Sequence, residues 1–214
     1  MKKCVFLLTL LVLLTGCTVK NINDEDINKL IEDAIVEKNN DYTEIYNGYK
    51  LKIPQGMKIV GKSDYNSKLI FNEDTYYLFI DIISQYYKEN PSYTVNKSSY
   101  LSKVIEYDDN KGYIEVNKND EGKYEIVAVY NYAKMEAVIP EENLKNAVYN
   151  IVKILSSIDY NDKIIDTLVG ENALSYEESE FDLFGSTREE GYFMDYVEEY
   201  NDYESTIKDE DVIK

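Results

Sequence analysis

Leu144, Ala147, Val148, Ile151, Ile154, Leu155 and Ile158 recur at three- and four-residue spacing, and this stripe constrains the fold more than any other feature. Side chains spaced in this way share one face of a helix, and an apolar face must be covered. Pro140-Glu141-Glu142 opens the helix, because proline fits the first turn and acids favour its positive end. The residues before it supply the cover. Tyr49-Lys50-Leu51-Lys52-Ile53 alternates apolar with charged side chains, and Pro54-Gln55-Gly56 turns the chain. Strands are expected at 57–60 and 68–71, with a connection over 61–66, and at 75–83, where aromatic and β-branched residues are dense. Pro91-Ser92 breaks the pattern. A meander is expected next at 103–107, 113–116 and 124–132, turned by Asp108-Asp109-Asn110-Lys111-Gly112 and Asn119-Asp120-Glu121-Gly122, and 135–139 makes a last strand. The expected fold class is α+β, a mostly antiparallel sheet of five to seven strands packed by a long helix over about 141–158.

Composition changes on either side of this body. Residues 23–38 place Ile27, Leu30, Ile31, Ala34 and Ile35 on one helical stripe, with Asn23 or Asp24 as cap and Asn39-Asn40-Asp41 as stop. Packing on the domain or shaping a tether is the expectation for it, ahead of binding a partner. Residues 41–158 carry 17 acids and 14 lysines, whereas 159–214 carry 18 acids against Lys163, Arg188, Lys208 and Lys214. Most of the net charge of −18 thus lies in the C-terminal stretch. That stretch still has apolar stripes: Ile164, Ile165, Leu168 and Val169 ended by Gly170, then Phe181, Leu183 and Phe184, then Tyr192, Phe193, Tyr196, Val197 and Tyr200. It reads as an acidic helical appendage docked on the domain over 159–204, with 205–214 disordered.

Met1-Lys2-Lys3 is a basic start, and residues 4–14 form an apolar run of eleven residues. A permanent transmembrane helix needs about 20. The pattern is that of an export signal, removed before folding. Leu14-Thr15-Gly16-Cys17 resembles the lipobox of bacterial lipoproteins, in which small residues precede an acceptor cysteine. The resemblance implies diacylglyceryl transfer to the Cys17 thiol, cleavage between Gly16 and Cys17, and acylation of the new amine. Two or three chains, at about 0.8 kcal/mol per buried methylene, hold far more firmly than one. Processing would remove Cys4 and consume the Cys17 thiol, leaving no cysteine for a disulfide, metal or nucleophile. Removing Lys2 and Lys3 with the signal would take the charge from −18 to −20. The organisation expected is a signal at 1–16, a lipid-anchored tether and short helix at 17–41, the α+β domain at 42–158, then the appendage and tail.

Chemistry is excluded more readily than assigned. The chain has no histidine, so no imidazole base and no Ser-His or Cys-His pair. Its acidity opposes nucleic acid, which needs clustered Lys and Arg. The nine glycines include no G-x-G and no P-loop. Ser205-Thr206-Ile207-Lys208 has the S-x-x-K spacing, without the partner motifs of that enzyme class. Asp108, Asp109, Asp120 and Glu121 are the acids considered as weak cation donors. The first loop departs from a calcium loop because its glycine is fifth and no Glu occupies position twelve. The 22 tyrosines, with Tyr76-Tyr77 and Tyr86-Tyr87 adjacent, suit strands first and a binding platform second. No cofactor is expected.

The run from Tyr49 through Pro54-Gln55-Gly56-Met57 resembles the opening of PsbP-like and DcrB-like domains, whose closing helix ends in a segment like Leu155-Ser156-Ser157-Ile158. The resemblance spans about 42–158 and implies an exported or lipid-anchored accessory protein without catalytic residues. The leading expectation is thus a non-enzymatic binding or accessory lipoprotein on the outer face of the bacterial cytoplasmic membrane. Its contacts would be membrane lipid through Cys17 and a basic protein or peptide or weakly bound cations, met by the tyrosine-rich sheet or the acidic tail. The alternatives are a carboxylate-dependent cell-wall hydrolase and a solute-capturing lipoprotein of a transporter.

Overall fold

Strand alternation and one helical stripe suffice to build the body. In the computed structural model, which describes residues 26–37, 41–63 and 65–170, seven antiparallel strands form one sheet. They are β3 (Lys58–Ser63), β4 (Asn66–Phe71), β5 (Asp74–Ile80), β6 (Leu101–Tyr107), β7 (Asn110–Lys118), β8 (Tyr124–Tyr130) and β9 (Ala133–Ile139), in the order β3-β4-β5-β9-β8-β7-β6. A second, three-stranded sheet pairs β2 (Tyr49–Leu51) with β1 (Glu44–Ile45) and β10 (Asp159–Tyr160).

The expected long helix is α3 (Leu144–Ser157), entered through a 3-10 turn at Glu141–Asn143. Ala147, Val148, Ile151, Ile154 and Leu155 are buried on it, against β8 and β9. The sheet side of this core holds Leu69, Tyr76, Leu78, Ile80, Ile114, Val116, Ile126, Ala128, Met135 and Ala137. Each large side chain fully buried there contributes about 1.5–3 kcal/mol. With no described cross-link, this apolar layer is the main source of stability. Helix α1 (Ile27–Val36) packs on α3 through Leu30, Ile31, Ala34 and Ile35. Its cap is Asp26, not Asn23 or Asp24: the Asp26 carboxylate accepts from Asn28 N at 2.9 Å and Lys29 N at 3.4 Å.

Four other boundaries differ from the sequence reading. The strand expected over 75–83 stops at Ile80, and helix α2 (Ile82–Tyr87) comes next. Asp81 decides this by accepting from Ser84 N and Ser84 Oγ, both at 2.7 Å, which outweighs the strand preference of Ile82 and Ile83. Strand β3 runs to Ser63 through a bulge between Ile59 and Gly61, so most of the expected 61–66 connection is strand. The β6–β7 turn is only Asp108-Asp109, with Asp108 at φ 52°, and Gly112 lies within β7. A Cβ there would sit 1.9 Å from the Val129 carbonyl oxygen, so close strand approach rather than turning requires that glycine. The β8–β9 turn takes Asn131 and Tyr132, at φ 51° and 53°, and Tyr160 Oη donates to both their carbonyls at 2.9 Å.

Helix α4 (Asp162–Val169) carries the first stripe of the C-terminal stretch, buries Ile165 and Val169, and packs on α2. The remainder of the expected appendage and tail, 171–214, lies outside the described residues, as does the N-terminal stretch 1–25. Among the described residues, no helix is long and apolar enough to cross a membrane.

Candidate functional site

The sheet has one face against α3 and another that no described helix packs on. Alternation sends Tyr124, Ile126, Ala128 and Tyr130 of β8 toward α3, and therefore Glu125, Val127 and Val129 to the other side. Strand register extends that row. Lys68 opposes Tyr77, Tyr77 opposes Glu136, Glu136 opposes Val127, and Val127 opposes Glu115. In the adjacent row Phe79 opposes Lys134, Lys134 opposes Val129, and Val129 opposes Tyr113. These rows of the helix-free face gather aromatic rings, two lysines and three glutamates, and they are the candidate site.

Its β6–β7 half is overlaid by the loop that carries Tyr93, Asn96 and Ser99. The Tyr93 ring stacks on Tyr113 with centroids 4.0 Å apart and planes 2° from parallel. Its hydroxyl donates to the Glu115 carboxylate and lies 2.7 Å from Ser102 Oγ. Glu115 Oε1 accepts from Ser99 Oγ at 3.0 Å, and from Asn96 Nδ2 and Asn117 Nδ2 at 3.1 Å each. Burial would push the Glu115 carboxyl up, but the bonds from Tyr93, Asn117, Asn96 and Ser99 outweigh it and hold it below the ordinary 4.5. Burial, followed by the facing Glu115 carboxylate, pushes the Tyr93 phenol up. A carboxylate held charged by four side-chain donors suits anchoring a loop; a general base would need a higher pKa.

The centre of the face is also polar. Lys134 Nζ lies 3.3 Å from Glu136 Oε1, with the two side chains only 14% and 3% exposed. Two other carboxylates are pushed above their ordinary range. Asp74 is raised by burial and by Glu142 and Glu73, against a hydrogen bond from Asn143. Glu125 is raised by burial and by Asp120, against a bond from Asn119. Asp74 shares strand parity with the core residue Tyr76, whereas Glu125 is on the helix-free face, so the sheet separates them. Two-carboxylate hydrolysis needs both groups flanking one bond, and these two do not.

A small cleft between α1, α3 and the chain after β2 is lined by Glu37, Lys52, Pro54, Tyr149, Asn150, Lys153 and Ser157. Lys153 Nζ reaches Glu37 at 2.7 Å and Tyr149 Oη donates to it at 3.1 Å. The Lys153 contact is the main cause that lowers the Glu37 carboxyl. Burial, then the bond to Glu37, pushes Tyr149 up to about 12. These charges serve each other and fasten α1 to α3.

The residues singled out from sequence scatter. Asp108 and Asp109 sit in the β6–β7 turn, and Asp120 and Glu121 in the β7–β8 turn. Strand β7 separates the pairs by about 30 Å at its per-residue rise. Among the described residues, no group of three or more Cys, Asp or Glu is placed to hold a metal. Gly16, Cys17 and the Ser205–Lys208 motif lie outside the described residues. Tyr76 is buried in the core at 1% exposure while Tyr77 faces the helix-free side. Tyr86 packs on the core with Tyr87 edge-on at 5.0 Å. Glu115, Tyr93, Lys134 and Glu136 went unread in the sequence. Only the opposite charges at 134 and 136, two apart on one strand face, left a local signal.

Comparison with known protein families finds no match, and comparison with curated proteins finds none either.

Proposed function

We propose that the protein is a lipoprotein held by acylated Cys17 on the outer face of a bacterial cytoplasmic membrane, where its α+β body acts as a non-enzymatic binding or accessory module. The observation that carries this is Leu14-Thr15-Gly16-Cys17 directly after a basic start and eleven apolar residues. Anionic lipid repels a body of this charge, so acyl chains rather than side-chain charge would hold it at the surface. From Cys17 to the cap at Asp26 is nine residues, which reach at most about 30 Å when extended, so the domain stays close to the bilayer.

Two features support an accessory rather than a catalytic task. The Glu115 and Glu37 clusters are satisfied within the fold and fasten a loop and a helix. The raised carboxylates Asp74 and Glu125 lie on opposite sides of the sheet. The PsbP-like and DcrB-like reading is supported by the turn after β2, where Met57 N donates to the Pro54 carbonyl at 3.1 Å and Gly56 takes φ 91°. It is also supported by α3 ending within Leu155-Ser156-Ser157-Ile158. The net charge favours a basic protein or peptide as partner.

Globomycin, which blocks lipoprotein signal peptidase, should accumulate a longer precursor, and Cys17→Ala should release or trap the protein. An unchanged, membrane-bound mature form under both treatments contradicts the proposal. Crosslinking in cells with mass spectrometry then identifies the partner.

A further inference from the structure

We infer that the outer edge of β6 pairs antiparallel with β6 of a second copy of the chain, joining two seven-stranded sheets into one. This inference is independent of the lipid anchor. Strand β6 ends the sheet order, with β7 on one side and no described strand on the other. The two-residue turn Asp108-Asp109 makes Tyr107 and Asn110 a hydrogen-bonded pair, and the antiparallel pattern alternates from there. Leu101, Lys103, Ile105 and Tyr107 therefore turn their backbone groups to β7, while Ser102, Val104 and Glu106 turn theirs outward. Among the described residues, no other strand or turn bonds to the backbone of those three.

The opposite edge of the sheet is guarded. Strand β3 has a bulge between Ile59 and Gly61 and exposes Lys58 and Lys62, and both devices discourage edge pairing. Strand β6 instead keeps unbroken register with β7 from Leu101 to Tyr107. Its one lysine, Lys103, is on the helix side, where it meets Glu32 of α1 at 2.9 Å. Val104 at its midpoint and Tyr100 at its entrance are exposed large apolar side chains.

The side chains of the strand select a second copy as the occupant. A two-fold pairing centred on Val104 sets Val104 against itself, Ser102 against Glu106, Lys103 against Ile105 and Leu101 against Tyr107. Apolar meets apolar at the centre, a hydroxyl meets a carboxylate beside it, and no charge opposes its own sign. In the turn, Asp108 faces Tyr100 and Asp109 faces Ser99 of the other copy. The two Lys103 side chains lie diagonally, each held by its own Glu32, and Glu106 has Lys111 at 3.5 Å. Moving the axis to Lys103 would oppose the two lysines, and moving it to Ile105 would leave only 103–107 in the ladder. Residues 41–158 carry 17 acids against 14 lysines, so the two bodies meet at little electrostatic cost.

The test uses the full chain, recovered from its native cell in mild detergent. In the pairing centred on Val104, the two Val104 Cα atoms lie about 5.5 Å apart, within disulfide reach. Those of Glu106 lie about 14 Å apart, beyond it. Mild oxidation and peptide mass spectrometry should give a link between the two copies of residue 104 in Val104→Cys, and none between the two copies of residue 106 in Glu106→Cys. Val104→Pro removes an N–H that β7 does not use, so it should melt like wild type while its mass by light scattering falls from dimer to monomer. Val104→Lys, which sets two lysines against each other, should give the same monomer without touching the backbone. A monomeric wild type, equal linking by the two cysteines, or a link from residue 104 to any other peptide overturns the inference. So does a folded Val104→Pro or Val104→Lys protein that stays dimeric.

Discussion

Replacing Glu115 separates the roles of its two oxygens. Three bonds, from Asn96, Ser99 and Asn117, end on Oε1, and the Tyr93 hydroxyl ends on Oε2. Glu115→Ala removes all four and strands their donors under the loop that carries Tyr93, Asn96 and Ser99. At about 1.5 kcal/mol per charge-assisted bond, halved for partial solvent access, the loss is about 3 kcal/mol, or about 10 °C in Tm for a body of this size. Glu115→Gln keeps the Oε1 acceptor and forfeits the Tyr93 bond, a loss of about 1 kcal/mol. The pH dependence has a definite sign. The folded pKa lies below the ordinary 4.5, so this contribution is complete above that value and is lost as pH falls through the folded pKa. The wild-type advantage over Glu115→Gln should therefore shrink below about pH 4.5. Urea unfolding at several pH values measures the energies, and hydrogen exchange over 88–100 reports the loop. Equal losses for Ala and Gln, or unchanged loop protection in Glu115→Ala, would refute the reasoning.

Gly112→Ala forces a Cβ within 1.9 Å of the Val129 oxygen and should cost more than about 3 kcal/mol or prevent folding; near-normal melting would contradict the β7–β8 register. Ile151→Asp places an unpaired charge at a site with 0% exposure and should cost about 4 kcal/mol or more in thermal unfolding. Glu125→Gln should act in the opposite direction. Its raised pKa means that ionisation disfavours the fold, so the neutral amide should raise stability at pH 7 by about 0.5–1 kcal/mol. That gain should fade as acid protonates the wild-type carboxyl, as paired melts across pH would show.

Legibility in the sequence tracks the range of the interactions. The α3 stripe and the alternation over Tyr49–Ile53 are local periodicities and survive into the fold with small shifts of boundary. Helix α2 was hidden because Ile82-Ile83 reads as strand until the Asp81 carboxylate is seen capping Ser84. Gly112 looked like a turn residue because nothing local reveals that Val129 lies across from it. The Glu115 cluster draws donors from Tyr93, Asn96 and Ser99, sixteen or more residues away, and no spacing rule announces it. The helix-free face was half legible: β5 and β8 are apolar over nearly their whole length, but which lysines and glutamates share their rows depends on register.

The central claim concerns a single sulfur atom. Intact-mass analysis of the N-terminal peptide from protein recovered from native membranes tests it directly. The expected peptide begins at Cys17, with its sulfur in a diacylglyceryl thioether and its amine either free or acylated. A peptide that retains residues 1–16, or a Cys17 with a free thiol, contradicts it.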